Sequence, residues 1–188
     1  MLYPEIVIAG CGNPLFADDG FGPAVIEELN ALQLPENVKA VDAGLGGPHF
    51  IFTLLDPDVT KKLIILDIAE FGEVPGSLVR LSVDDLPQGS YRDAHSWDLM
   101  EPLQRLKDSM EIIILGCQPK HVSAPDMEIG ITEEVLMAIP KAVQFVLREI
   151  GVENGTAIKT QEDHSGRAAG ERGIQKTDRK TGGKIGTC

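Results

Sequence analysis

Cysteine is scarce in this chain, and its three residues, Cys11, Cys117 and Cys188, are widely spaced and form no C-x-x-C pair. Such a set provides neither a disulfide framework nor a thiolate zinc site. We therefore expect reduced thiols. Cys11 and Cys117 fall near the motifs described below, where a nucleophilic role is an alternative, but we interpret both as packing residues.

Long apolar segments are also lacking. The runs at 63–66 and 112–115 are too short to span a bilayer, and Met1 is followed by Pro4 and Glu5 instead of a basic, apolar signal sequence.

Basic residues are few, since 17 Lys and Arg stand against 29 Asp and Glu, for a formal net charge of -12. Nucleic acids and anionic membranes attract positive charge, so the sequence predicts neither partner. We expect a cytoplasmic protein.

The 188 residues, 43% of them hydrophobic, suit one globular domain. The composition changes near Gly151, beyond which the chain is polar, without periodicity, and contains few large apolar residues. We predict a domain over residues 1–151 and a disordered polar tail over residues 152–188. The tail carries more basic than acidic residues, so the domain is more acidic than the whole chain.

Apolar runs alternate with amphipathic stretches along the domain. Strands are predicted over residues 5–9, 38–42, 62–67, 77–82 and 111–115, and helices over residues 23–32, 48–55, 97–107 and 132–149. Thr132 is predicted as the N-cap of the last helix, with a kink at Pro140. This alternation is typical of a three-layer αβα fold with a twisted, mostly parallel sheet of about five strands, whose ligands gather beyond the carboxyl ends of the strands.

A glycine-rich block, G-C-G-N-P-L-F-A-D-D-G-F-G, follows the first predicted strand at residues 10–22. Small residues allow a tight turn and a close approach of a ligand to the backbone. A turn of this kind before a helix often holds an anion, but Asp18 and Asp19 place negative charge where a phosphate would lie. The block therefore predicts a cation as its ligand.

Carboxylates also end the second and third predicted strands, at Asp42 and Asp67. Burying an unpaired charge is costly, so we interpret Asp67 as functional and not as a structural cap. Asp42 precedes the run A-G-L-G-G, and either function or a hydrogen bond that holds this turn explains it. His95 precedes the third predicted helix and is expected to reach the same edge of the sheet.

A histidine added to two carboxylates gives a mixed nitrogen and oxygen donor set, which suits nickel or zinc. The donors are dispersed along the chain, so their spacing alone identifies no metal. The other histidines, His49, His121 and His164, are interpreted as surface or packed residues.

Two other functions share part of this pattern. A dinucleotide-binding loop needs a third glycine where Leu15 stands, and its pyrophosphate would be repelled by the acidic pair. A phosphoacceptor signalling domain has an acidic pair after its first strand, but it needs a lysine at the end of the last strand. Residues 116–119 read G-C-Q-P there, and Lys120 comes slightly late.

The glycine-rich block resembles the signature G-x-G-N-x-L-x-x-D-[DE]-G-x-G of the hydrogenase maturation endopeptidases, which trim the C-terminus of nickel-iron hydrogenase large subunits. The resemblance continues in order through D-A-G at Asp42, I-I-L-D at Asp67, A-H-S at His95, G-C-Q-P at 116–119 and I-G-I-T before the last helix. It covers residues 4–150 and leaves the tail unexplained. The sequence of the block is most similar to that of the subgroup that serves deazaflavin-reducing hydrogenases of methanogens.

The resemblance implies an endopeptidase that removes a C-terminal peptide from the nickel-loaded precursor of a hydrogenase large subunit and recognises the precursor by its nickel. It assigns Asp19, Asp67 and His95 to nickel binding and to involvement in cleavage, and leaves Asp18 to cap the helix. The nickel comes with the precursor, and no organic cofactor is implied. We expect the enzyme to be a monomer.

The route of cleavage stays open at this point. A metal-activated water and a carboxylate acting as base are alternatives. The chain has no H-E-x-x-H motif and no evident Ser, His and Asp set, so the standard protease templates are not supported. A non-catalytic, metal-dependent assembly factor that binds the precursor without cutting it is an alternative of another class.

Overall fold

A computed structural model describes residues 3–44, 47–85 and 100–152, without the side chains of residues 47–49, 100 and 101. Its strands are β1 (Ile6–Gly10), β2 (Val38–Asp42), β3 (Lys62–Ile68), β4 (Leu78–Leu81) and β5 (Glu111–Cys117). Its α-helices are α1 (Phe21–Asn30), α2 (Gly47–Thr53), α3 (Met100–Leu106), α4 (Glu133–Leu136) and α5 (Ile139–Glu149). Short 3-10 turns lie at Asp18–Gly20 and Val83–Asp85.

The five strands form one sheet in the order β2-β1-β3-β5-β4. The first four of these strands are mutually parallel, and β4 lies antiparallel to β5 at the edge. With helices on both sides, this arrangement confirms the predicted three-layer αβα fold. The central strands β3 and β5 are continuous apolar runs, as expected for parallel strands covered on both faces.

Alternate residues of each strand enter two different cores. On one face Ile8 and Ile64 pack with Phe21 and Val25 of α1 and with Val146 of α5. On the other face the neighbouring residues of the same strands pack with Ile51 of α2 and Leu103 of α3. Each fully buried side chain of this size contributes about 1.5–3 kcal/mol. The two cores hold the sheet rigid, and therefore fix where its strands end.

The prediction of a single helix over residues 132–149 was wrong. The chain forms α4 and α5 with a break between them, and Pro140 is the second residue of α5, where its missing N–H needs no partner. Thr132 is the N-cap of α4 as predicted, but its side chain makes no cap hydrogen bond. The other predicted elements agree with the structure to within a few residues wherever they are described.

Two expectations concern residues that lie outside the described ranges. These are the start of the helix predicted over residues 97–107 and the disordered tail, of which residues 153–188 are not described. The tail therefore stays a prediction. Within the described residues, no helix combines the length and apolarity that a membrane crossing requires.

Candidate functional site

The register of the sheet brings the ends of β1, β2 and β3 to one edge. Gly10 pairs with Asp42 on one side and with Leu66 on the other. The next residue, Cys11, donates its N–H to the carbonyl oxygen of Leu66 over 2.8 Å. Asp67 follows Leu66 directly, so Asp42, Asp67 and the glycine-rich block share this edge, as their positions after the strands predicted.

The glycines of the block serve the close packing of the chain on itself. A Cβ on Gly22 would come within 2.2 Å of the Cys11 carbonyl oxygen and within 2.6 Å of that of Leu66. Gly12 has a φ of +106° and would place a Cβ 2.0 Å from the Asp19 carbonyl oxygen. At both positions a side chain is excluded because backbone segments already fill the space that a Cβ would take.

The carboxylate of Asp18 is fully buried and accepts four hydrogen bonds from a distant segment. Its Oδ2 accepts from the backbone N–H groups of Lys120 (2.8 Å) and His121 (2.9 Å) and from the hydroxyl of Thr132 (3.0 Å). Its Oδ1 accepts from the Thr132 N–H over 2.7 Å. Burial alone would raise the pKa of Asp18, but these hydrogen bonds together hold it below its ordinary value.

Asp18 therefore fastens the segment 120–132 to the glycine-rich block. The family resemblance implied that Asp18 caps α1, and this prediction was wrong. The N-cap of that helix is Gly20, and no side chain makes a cap hydrogen bond there. Its partners lie on a loop that follows the last strand. Asp18 thus has a structural function, but the segment that it holds is 120–132 and not α1.

Ala17 precedes Asp18 in a backbone conformation that is unusual for a residue with a Cβ. Its φ is 55° and its ψ is -119°. Such a conformation persists only where the surroundings over-determine it. Here the Ala17 N–H donates to the Glu128 carbonyl oxygen over 2.8 Å, and the Asp18 N–H donates to the carbonyl oxygen of His121 over 3.2 Å.

Asp19 lies close enough to Asp67 for its charge to oppose the ionisation of Asp67. Asp19 Oδ2 accepts the Asn13 N–H over 2.7 Å, and Asp67 Oδ1 accepts the Ile68 N–H over 2.8 Å. Burial, and then the charge of Asp19, raise the pKa of Asp67 to about 7, against the lowering effect of the Ile68 N–H. A half-buried carboxyl group that titrates near neutrality beside a second carboxylate is typical of functional sites.

The Cys11 thiol lies among these acidic groups. Burial raises its pKa well above the ordinary value, and the charges of Asp67, Asp19 and Asp42 raise it further. Because a thiol needs its ionised form to act as a nucleophile, this environment disfavours that role. Cys117 is fully buried, and burial followed by the charge of Asp18 raises its pKa to about 12. Cys11 and Cys117 thus fit the packing interpretation.

Asp42 holds the turn that follows β2. Its Oδ1 accepts the Gly44 N–H over 2.9 Å, which is the hydrogen bond of an Asx turn. A Cβ on Gly44 would come within 2.1 Å of the Gly12 carbonyl oxygen, so this turn packs directly on the glycine-rich block. Of the two explanations left open by the sequence, the structure shows the turn-holding one.

The segment after β5 contains two residues with roles that the sequence analysis did not assign. The buried Gln118 accepts the N–H groups of Phe71 and Gly72, each over 2.9 Å, and so holds the loop after β3. Lys120 donates its Nζ to Glu134 Oε1 over 2.7 Å. A phosphoacceptor domain would direct this lysine at the strand-end aspartate, so the pairing with Glu134 disfavours that alternative.

His95 lies outside the described residues, and its part in the site stays a prediction. His49 lacks a described side chain, His164 also lies outside, and the exposed His121 pairs with Glu128 at 3.0 Å. Across the ranges that the structure describes, no group of three or more His, Cys, Asp or Glu side chains is arranged to hold a metal ion. Asp19 and Asp67 are the described members of the predicted set.

A family model described as HycI, hydrogenase maturation protease, matches residues 23–149. The chain belongs to the hydrogenase maturation protease family. Members of this family are peptidases, which sets aside the dinucleotide-binding and phosphoacceptor alternatives and leaves the non-catalytic assembly factor without support. The resemblance stated from the sequence motifs is thereby confirmed.

Individual relatives agree with this assignment. The chain is 46% identical to the coenzyme F420 hydrogenase subunit delta of Methanothermobacter thermautotrophicus, over 79% of this chain and 96% of that one. The solved hydrogenase 2 maturation peptidase of a Thaumarchaeota archaeon is 29% identical, with a TM-score of 0.58 over 79% of this chain and 99% of that one. A solved hydrogenase 3 maturation protease is 25% identical, with a TM-score of 0.64 over 75% and 88%.

Proposed function

We propose that this peptidase removes a C-terminal peptide from the nickel-loaded precursor of a nickel-iron hydrogenase large subunit and recognises that precursor by its nickel. Hydrogenase maturation proteases act on hydrogenase large-subunit precursors. The observation that carries the proposal is the pair Asp19 and Asp67, two carboxylates that interact electrostatically at the edge of the sheet where the ligands of such folds gather.

The electrostatics of this pair favour a cation. Burial and the charge of Asp19 hold the pKa of Asp67 near 7. Ionising both carboxylates at once therefore costs free energy. A divalent ion between the two groups would replace repulsion by attraction and stabilise the ionised form of both. Binding of the ion therefore stabilises the ionised carboxylates, which suits a metal that comes bound to the substrate.

The donor chemistry also fits nickel. Carboxylate oxygens and an imidazole nitrogen are ligands that nickel accepts, and His95 would supply the imidazole. Asp19 and Asp67 alone cannot complete a coordination sphere, so the remaining donors would be those with which the precursor already holds its nickel. Docking would thus depend on nickel having been inserted, and the enzyme would distinguish finished from unfinished precursors.

Ligation of this shared ion would place the scissile peptide bond beside Asp19 and Asp67. Orientation of that kind supplies a large part of many rate enhancements. Two routes of cleavage are compatible with the residues, namely attack by a water activated at the metal and general-base action of a carboxylate. In both routes Asp67 has to be ionised, whether it binds the ion or accepts a proton.

The family relatives suggest the substrate subgroup. One of them is named as a subunit of coenzyme F420 hydrogenase, which fits the deazaflavin-reducing subgroup that the glycine-rich block resembles. We therefore propose the large-subunit precursor of such a hydrogenase as the substrate. A cytoplasmic location, a monomeric state and the need for no organic cofactor stay predictions.

The test is to incubate the purified full chain with nickel-loaded and with nickel-free precursor and to weigh the large subunit by mass spectrometry. We expect a C-terminal peptide to be lost from the loaded precursor only, and the Asp67→Asn variant to lose this activity. Glu36→Gln is the matched control, because Glu36 is an exposed carboxylate before β2, at the opposite ends of the strands. Undiminished cleavage by Asp67→Asn would refute the assignment of the site.

A further inference from the structure

Four exposed apolar side chains lie on the glycine-rich block and on residues 120–132, the two segments that Asp18 fastens together. Leu15 is 37% exposed, Val122 39%, Met127 74% and Ile129 83%. We call these four residues the apolar surface. Contiguous exposed apolar groups on a folded protein generally mark a place where another molecule binds.

The two segments are paired through their backbones. Phe16 and Glu128 form a parallel bridge, in which the Glu128 N–H donates to the Leu15 carbonyl oxygen over 2.9 Å. Ala17 and Val122 form a second, antiparallel bridge. The hydrogen bond to Leu15 therefore places this residue beside Glu128, whose chain neighbours are Met127 and Ile129.

Hydrogen bonds join this surface to the two adjacent aspartates of the glycine-rich block. Asp19 accepts the Asn13 N–H over 2.7 Å, and the Asn13 side chain accepts the Leu15 N–H over 3.0 Å. Asp18 holds both ends of the segment 120–132, which carries the other three apolar residues. The apolar surface is therefore connected through Asn13 and Asp18 to the block that carries Asp19.

The charges around the apolar surface indicate the chemistry of the occupant. Asp126, Glu128 and Glu133 are exposed on or next to the same segment, whose one lysine, Lys120, is paired with Glu134, and the domain as a whole is acidic. A second copy of this chain would bring like charges together, which is unfavourable. An apolar segment flanked by Lys or Arg is the complementary partner.

We propose that the apolar surface is the docking surface for the hydrogenase large-subunit precursor, which contacts it through an apolar segment flanked by basic residues. The proposal rests on the proposed function, because it names the surface on which that substrate is held. Contacts made there stay in place before and during cleavage. They lower KM and leave the chemical step unchanged.

The test compares Ile129→Asp with the conservative variant Ile129→Leu and with Val74→Asp, a control at a similarly exposed apolar residue (71%) outside these segments. Steady-state cleavage of nickel-loaded precursor by the full chain is measured. We expect Ile129→Asp to raise KM about tenfold while kcat changes less than about twofold. Ile129→Leu and Val74→Asp should behave as the wild type, and thermal unfolding should show that all variants are folded.

Direct binding of the same precursor to the immobilised chain separates this proposal from the proposed function. If the wild type binds but does not cut, the proposed cleavage fails, while weaker binding by Ile129→Asp still supports the docking surface. Equal binding and equal KM for wild type and Ile129→Asp would overturn the proposal. So would an equal loss in Val74→Asp, or a wild-type dimer that Ile129→Asp dissociates without any change in KM.

Discussion

Asp18 accepts two hydrogen bonds from Thr132, one from its backbone N–H at 2.7 Å and one from its hydroxyl at 3.0 Å. The two residues are 114 positions apart in the sequence. Through this contact the loop after the first strand and the start of α4 become one structural unit. Asp19, the next residue, is a predicted metal ligand, so we expect these neighbouring carboxylates to have different functions.

We expect Asp18→Ala to destabilise the fold by about 3 kcal/mol or more, because it leaves buried donors without their charged acceptor. Thr132→Val removes only the hydroxyl donor and should cost about 1 kcal/mol. Urea denaturation at pH 7 measures both. The hydrogen bonds hold the pKa of Asp18 below its ordinary value, so its contribution is present above the unfolded-state pKa and is lost as the pH falls through the folded-state pKa. Equal stability of Asp18→Ala and wild type would contradict the assigned role.

Gly22→Ala is expected to destabilise the protein severely, by about 3 kcal/mol or more. The added Cβ would meet two backbone carbonyl oxygens, of Cys11 and Leu66, and neither strand end is free to move. Gly20→Ala is the matched control, because its Cβ would come no closer than 3.1 Å to Pro14 and its φ of -73° suits alanine. Chemical denaturation of both variants checks the difference, and a tolerant Gly22 would refute the close packing of the block.

Asp67 should make the fold less stable as the pH rises. Its folded-state pKa of about 7 lies above the value of an unfolded aspartate, so the folded chain retains a proton between these two pH values. The stability that this proton confers is complete below the unfolded pKa and is lost as the pH rises through the folded pKa. Relative to wild type, Asp67→Asn should therefore gain about 3–4 kcal/mol between pH 4 and pH 8, measured by urea denaturation at each pH. A difference independent of pH would contradict the burial and charge effects assigned to Asp67.

The pH dependence of cleavage should report the same group. Because kcat/KM follows the ionisation of the free enzyme, and Asp67 has to be ionised to act, kcat/KM should fall as the pH drops below about 7. The slope should approach a tenfold loss per pH unit. Initial rates with nickel-loaded precursor, measured from about pH 5.5 to about pH 8.5, test this dependence. A flat profile would argue against a role for ionised Asp67.

Sequence patterns predicted the sheet, and the edge at which Asp42 and Asp67 lie, for identifiable reasons. Buried parallel strands are unbroken apolar runs, and Asp42 and Asp67 stand directly where two of them end. The break at Pro140 was harder, because a proline is equally compatible with a kinked helix and with the first turn of a new one.

The roles of Asp18, Gly22 and Gln118 depend on contacts that no local pattern contains. The donors to Asp18 come from residues 120–132, and their approach is set by the path of a loop after β5. The glycines suggest freedom for a ligand when seen alone, and only the packed structure shows that Cys11 and Leu66 occupy the space. An acidic pair likewise gives no local sign of which member is buried.

The central claim is that this chain cuts a hydrogenase large-subunit precursor only when nickel is present. Mass spectrometry of the large subunit after incubation with the full chain tests it most directly, with nickel-loaded and nickel-free precursor side by side. The predicted result is a loss of mass equal to a C-terminal peptide in the loaded precursor alone. Cleavage of both precursors at equal rates, or of neither, would contradict the claim.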